Sequence, residues 1–250
     1  MATVALPKGE RRGFGREGRF DNYFFSAMAI LILATAFAGF ARTYFLAGIF
    51  RAPLPSLIVH IHGAVFSSWI LFLIAQISLV SAGRVDLHRR LGLAGFGLAS
   101  IMVLLGVLAA TNSLARGFAP PGFPFGALTF YAIPMIEMVA FATLIYFAFR
   151  ARFSPAAHKR LILIATILLL FPAVDRIRAM NAAKPFFTSI FVYVFLLILM
   201  TYDFWSLGKV HRATIWASAF VVVMTQIGVP IGRTPVWHEF AGWMRTFSGS

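Results

Sequence analysis

Seven stretches of about twenty mostly apolar residues leave this chain little choice of solvent, since a helix needs about that length to cross the hydrocarbon core of a bilayer. They run Tyr23–Phe45, Leu57–Ala82, Leu91–Asn112, Ala127–Phe149, Leu161–Met180, Phe186–Trp205 and Thr214–Ile231. The breaks between them carry Pro, Gly and charge: RAPLPS, SAGRVDLHRR, ARGFAPPGFPFG, RARFSPAAHKR, NAAKP and SLGKVHR. Backbone polar groups inside lipid must be satisfied within the segment, so apolar segments of this length predict helices. The expected fold is an all-α polytopic membrane bundle of seven transmembrane helices. Composition agrees: 60% of the 250 residues are hydrophobic and 12% charged, against about 25% charged in a soluble domain.

Charge sets the expected orientation. The formal net charge is +14, but the Lys and Arg residues sit in short clusters between apolar segments and form no continuous stripe. That is a topology signal, and it speaks against nucleic acid as a partner. With the N-terminus inside, 14 of the 22 Lys and Arg residues fall on the inner side. The expectation is therefore a basic cytoplasmic tail over 1–22, a seven-helix domain over 23–231 and an outer C-terminal tail over 232–250. The first apolar run is longer than the core of a secretory signal, so it is read as a membrane anchor. A bacterial inner membrane is the expected location, and the lipid bilayer the first partner. A membrane-complex partner and a second copy of the chain both stay open.

Val59–Phe96 holds the densest pattern. His62, Trp69 and Gln76 recur every seven residues, which keeps them on one helical face with a drift of about 20° per heptad. The next turn ends His88-Arg89-Arg90. Two later turns end alike, so DLHRRLG, AAHKRLI and KVHRATI each open an outward-running helix with a His and a cation. The unit is a helical hairpin with a basic inner turn. On the third segment Gly95 with Ala99, and Gly106 with Ala110, place small residues four apart, a spacing that lets helices approach closely in lipid.

Ionisable groups within a span are costly and face the bundle interior. Glu137 is the acidic residue nearest the middle of any span. It is read either as a proton acceptor or as a neutral helix–helix hydrogen-bonding group. Counting about 1.5 Å per residue from the outer ends places His62 and Asp175 at similar depth. Together with Arg42, His60 and Arg178 they outline an outer polar pocket, with Trp69, Gln76 and Glu137 along its inner side. The pocket would bind a small ligand, haem, a quinone or a metal, with His62 and Asp175 as the metal ligands. Polar glue and interfacial arginines are the competing account. On the inner rim His88, His158 and His211 act either as topology signals or as a ring for an anionic group such as haem propionates.

Several chemistries are excluded. Without cysteine there is no disulfide, thiolate nucleophile or Cys-ligated metal. Lys159, Lys184 and Lys209 all lie at span ends, which removes a retinal Schiff base. The zinc-protease, nucleophile-elbow, phosphate-loop and dinucleotide motifs are absent.

GFARTYFL, HIHGAVFSSWILFLIAQ, HRRLG and HKRLILIATILLLFPAVDRIR together resemble a family of uncharacterised bacterial multi-pass membrane proteins, over most of the chain after Asp21. The placement of His around helix hairpins is more distantly similar to b-type cytochromes, which implies haem b as a cofactor. The chain departs from them in having no pair of deep His on two spans at one depth. Three functions follow as expectations: ligand binding with a membrane redox role, proton-coupled transport through Glu137, or service as an accessory or structural subunit of a membrane complex.

Overall fold

The structure, a computed structural model, describes residues 17–53, 56–179 and 185–248. Every regular element among them is a helix. In chain order these are α1 (Glu17–Phe40, continued by a π-helical turn over Ala41–Phe45), α2 (Ala47–Phe50), α3 (Leu57–Ser81), α4 (Val85–Ala115), α5 (Gly126–Arg150), α6 (Pro155–Leu168), α7 (Phe171–Ala179), α8 (Pro185–Leu207), α9 (Arg212–Gly232) and α10 (Pro235–Ser248). Among the described residues six helices are long and apolar enough to cross a membrane: Phe20–Phe45, Leu57–Ser81, Val85–Ala115, Gly126–Arg150, Thr188–Leu207 and Arg212–Gly232. Their outer faces carry large apolar side chains such as Leu71, Leu93, Leu104, Leu197 and Val223, each more than half exposed. A largely apolar exterior on six such helices fits an integral, multi-pass membrane protein.

The segment expected as the fifth span is not one helix. It divides at Leu169–Leu170 into α6 and α7, of 14 and 9 residues. Pro172 supplies the cause. Proline has no N–H for the Leu168 carbonyl, and its ring crowds the preceding turn. The chain tightens instead, with Leu169 N–H donating to Thr166 O and Leu170 N–H to Ile167 O. Apart from this break, α6 is the inner pillar of the bundle. Leu163, Ile164, Ala165, Ile167 and Leu168 are all at most 1% exposed. Around it α6 packs on α1, α5, α8 and α9, while α7 packs on α1 and α8.

Small residues set the spacing of the other helices. A Cβ on Gly95 would stand 2.5 Å from the Phe72 ring on α3, and one on Gly106 would stand 2.2 Å from Met138 Sδ on α5. Gly95, Ala99, Gly106 and Ala110 are all buried, so the two small pairs seat α4 between α3 and α5. At the end of the bundle carrying the basic turns, Gly83 (φ +74°) closes α3, where Arg84 N–H reaches back to Leu79 O.

Where they are described, both expected tails contain helix. α1 begins at Glu17, ahead of the expected start at Tyr23, while residues 1–16 of the expected tail lie outside the described residues. Over the expected outer tail, α10 folds back across α4 and α5. Trp237 Nε1–H donates to Leu128 O at 2.9 Å, His238 Nε2 lies 3.0 Å from Thr129 Oγ1, and Ala241 is fully buried.

Candidate functional site

The heptad of α3 does face inward, and its three members meet different surroundings. Trp69 is buried and structural: its Nε1–H donates to Thr166 Oγ1 of α6 at 3.1 Å, and its ring meets Phe141 of α5 edge-on at 5.8 Å. His62 is half-buried against Phe66, with its ring beside the Leu105 carbonyl of α4. Its Nδ1 is buried and has no hydrogen-bond partner. Gln76 is 8% exposed, and neither of its amide atoms has one.

Glu137 sits on α5 at 7% exposure. Among the described residues no hydrogen bond reaches its carboxyl. Asp175 on α7 is the charged group that acts on it electrostatically, and Arg176 on the same helix acts likewise on His62. Asp175 also accepts a hydrogen bond from Thr188 Oγ1 of α8 at 2.7 Å. His62, Glu137 and Asp175 thus lie on three different helices, α3, α5 and α7. Arg176 itself is exposed, with its guanidinium over the Phe40 ring at 4.5 Å. Arg42 is exposed over Phe50, and His60 is exposed beside Tyr44, whose hydroxyl donates to the His60 carbonyl. The side chain of Arg178, and Asn181 beyond it, lie outside the described residues.

On the basic end, the three His residues separate. His88 and His158 come together with ring centroids 6.4 Å apart, and His158 Nδ1 lies 2.9 Å from Ala148 O. His211 stands elsewhere, as the N-cap of α9, where its Nδ1 accepts from Ala213 N–H at 3.1 Å.

Next to His211 lies a network that sequence reasoning passed over. Arg160 (2% exposed) and Asp203 (0%) form a buried ion pair. Arg160 Nε–H donates to Asp203 Oδ1 at 2.8 Å, and its Nη1–H to Ala156 O at 2.7 Å. Asp203 Oδ2 also accepts from Thr214 Oγ1 and from His211 N–H. A second pair adjoins it: Lys159 bonds Asp21 of α1, which also accepts from the Tyr202 hydroxyl at 2.6 Å. One polar knot therefore ties α1, α6, α8 and α9 at their ends. Its signal in the sequence is Asp203, a lone acid in the last turn of an apolar segment.

The His211 cap gives the basic end a pH dependence. Burial, and then the Arg160 cation, hold the imidazole below its ordinary value of 6.5. Nδ1 must also keep its lone pair in order to accept from Ala213. The folded state thus binds this proton less readily than the unfolded chain does. The stability it confers is complete above the unfolded value and is lost as pH falls below about 6.5, with a slope of at most about 1.4 kcal/mol per pH unit for one proton. Thermal unfolding in detergent between pH 7.5 and 5 should show that loss. His211→Asn, which caps without titrating, should flatten it.

Two clefts open on the flanks of the bundle. One, of about 410 Å³, lies between α1 and α8 and is lined by Phe24, Val194, Tyr202 and Trp205. The other, of about 100 Å³, lies between α1 and α3 beside Ser26, Ile74 and Ser78. Neither touches His62, Glu137 or Asp175. Among the described residues no three His, Asp or Glu side chains gather as a metal-ligand set. No protein-family model, curated protein or solved structure matches the chain significantly.

Proposed function

We propose that the protein binds a small hydrogen-bonding ligand, of quinone or haem size, between α3, α4, α5 and α7, in service of a membrane redox role. The observation that carries this reading is Glu137. A carboxyl buried in the middle of a membrane helix is expensive, and helix–helix glue would leave it hydrogen-bonded. It has no such bond among the described residues, and the buried His62 Nδ1 is unpartnered as well. The broken helix adds support, because interrupted helices border binding sites in many membrane proteins. In this reading α6 and α7 together make a seventh crossing, the N-terminus is cytoplasmic and the membrane is a bacterial inner membrane. The resemblance to uncharacterised bacterial multi-pass proteins extends the proposal to them.

The test is purification in detergent followed by absorption spectroscopy, metal analysis and mass spectrometry of extracted small molecules. The expected result is one copurifying ligand, at a level near the protein's own, depleted by His62→Ala and Glu137→Gln in variants that still melt cooperatively. A wild-type protein carrying nothing but bulk lipid overturns the proposal.

The electrostatic influence of Asp175 on Glu137 favours a second reading, proton-coupled transport with Glu137 as the coupling acid. It requires that pH-driven substrate flux into vesicles be lost in Glu137→Gln.

A further inference from the structure

We propose that His88 and His158 hold a single copper(I) ion, in linear two-coordination, at the basic end of the bundle. This site is separate from the pocket around His62 and does not rest on it.

The geometry of the two rings is the starting point. His88 lies in the first turns of α4 and His158 in the first turns of α6, yet their centroids are 6.4 Å apart, with the planes at 75°. A metal–imidazole bond is about 2.0 Å, and a ring nitrogen lies about 1.2 Å from its own centroid. Two imidazoles facing each other across one ion therefore have centroids about 6.4 Å apart.

The free nitrogens are accounted for. A carbonyl only accepts, so the contact of His158 Nδ1 with Ala148 O at 2.9 Å places the proton on Nδ1. Nε2 is left with a lone pair. The His88 ring lies against the Gln76 carbonyl, while its Nδ1 is buried without a hydrogen-bond partner. Each imidazole is thus braced by a backbone carbonyl and has a second nitrogen to offer, which is the usual bracing of metal-binding His. The independent observation is that this Nδ1 of His88 is buried and yet unpartnered. Buried polar atoms seldom remain so without a ligand.

Charge selects the ion. Arg89 and His158 are the groups that act electrostatically on His88. Acids of this end are committed elsewhere, Asp86 to Arg84 at the surface and Asp21 to Lys159. A site of neutral donors beside cations disfavours a divalent ion. A monovalent copper ion suits imidazole and accepts two ligands. Phe96 and Phe149, 4.7 Å apart, wall the pair, and Phe96 lies 6.4 Å from the His158 ring.

The full-length protein, purified in detergent with a tag free of His, should be titrated anaerobically with Cu(I) against a chromophoric chelator. One Cu(I) per chain is expected. His88→Ala and His158→Ala should each weaken binding about tenfold or more, with His62→Ala unchanged. His88→Gln and His158→Gln, which preserve polarity, serve wherever an Ala variant fails to melt cooperatively. X-ray absorption should show two nitrogen ligands on copper. The proposal is overturned if the wild type binds no more copper than the His88→Ala/His158→Ala double variant. It is equally overturned if Zn(II) binds one per chain and Cu(I) does not.

Discussion

Arg160→Ala is expected to lower the unfolding free energy by about 3–5 kcal/mol, the range for removing one partner of a buried ion pair. The reason is what remains behind. Asp203 is fully buried and would keep only the Thr214 hydroxyl and the His211 N–H for a full negative charge. Charge burial without a counter-charge is among the costliest single changes a fold can suffer. Asp203→Ala should cost as much by the mirror argument, because it strands the Arg160 guanidinium and frees the Thr214 hydroxyl and the start of α9. The pair itself is a different matter. Desolvation offsets most of the attraction between two buried charges, so a well-packed apolar replacement of both is often neutral. Arg160→Met combined with Asp203→Leu should therefore recover most of what either single loss removes. Thermal unfolding of the purified protein in one detergent, at one pH above 7, measures all three variants. A double variant as unstable as the sum of the two singles would show that the network acts through its hydrogen bonds to α9 and not through paired charge.

The same network shows where the sequence stops being legible. Apolar length and Pro, Gly and charge at the breaks place six of the segments on helices, because lipid imposes those features on any helix that crosses it. The inward face of α3 was legible from its seven-residue period. That Trp69 meets Thr166 was not, since the partner lies 97 residues away and nothing local marks it. Arg160 looks like any cation that flanks a span, and only the approach of α8 to α6 turns it into a buried one.

The three similar turns illustrate the limit most clearly. DLHRRLG, AAHKRLI and KVHRATI read as one motif, but the helix starts at a different register in the third. His88 and His158 are each the fourth residue of their helices, which begin at Val85 and Pro155, and their rings project sideways into the bundle. His211 precedes α9, and its ring turns back to cap the helix. Register follows from the turn before it. Ser154 and Pro155 open α6, whereas Gly208, with φ at +67°, sets the chain into α9. At the opposite end, the similar depth expected for His62 and Asp175 rests on counting alone. The break at Leu169–Leu170 brings α7 against α1 and α8, an arrangement no period predicts.

That arrangement hinges on Gly39. A Cβ there would stand 2.2 Å from the Ala173 carbonyl oxygen, 2.6 Å from its carbon and 2.7 Å from its Cα. All three are backbone atoms of α7, and Ala173 is 1% exposed, so no side chain can rotate away. The two helices must separate or break. Gly39→Ala is therefore expected to cost about 3 kcal/mol, the upper end of ordinary overpacking, even though Ala is intrinsically the better helix former by roughly 1 kcal/mol. Gly97→Ala on α4 is the matched control: it meets nothing within 4 Å and should be neutral or mildly stabilising. The larger consequence is for the proposed ligand pocket. Asp175 and Arg176 lie two and three residues after Ala173, and they are the α7 groups whose charges reach Glu137 and His62. Pushing α7 off α1 should deplete any ligand held there as strongly as His62→Ala does, at a temperature where the variant is still folded. The proposed copper site at the basic end is built from α4 and α6, and should be left intact. Retention of the pocket ligand by a folded Gly39→Ala protein would mean that α7 plays no part in holding it.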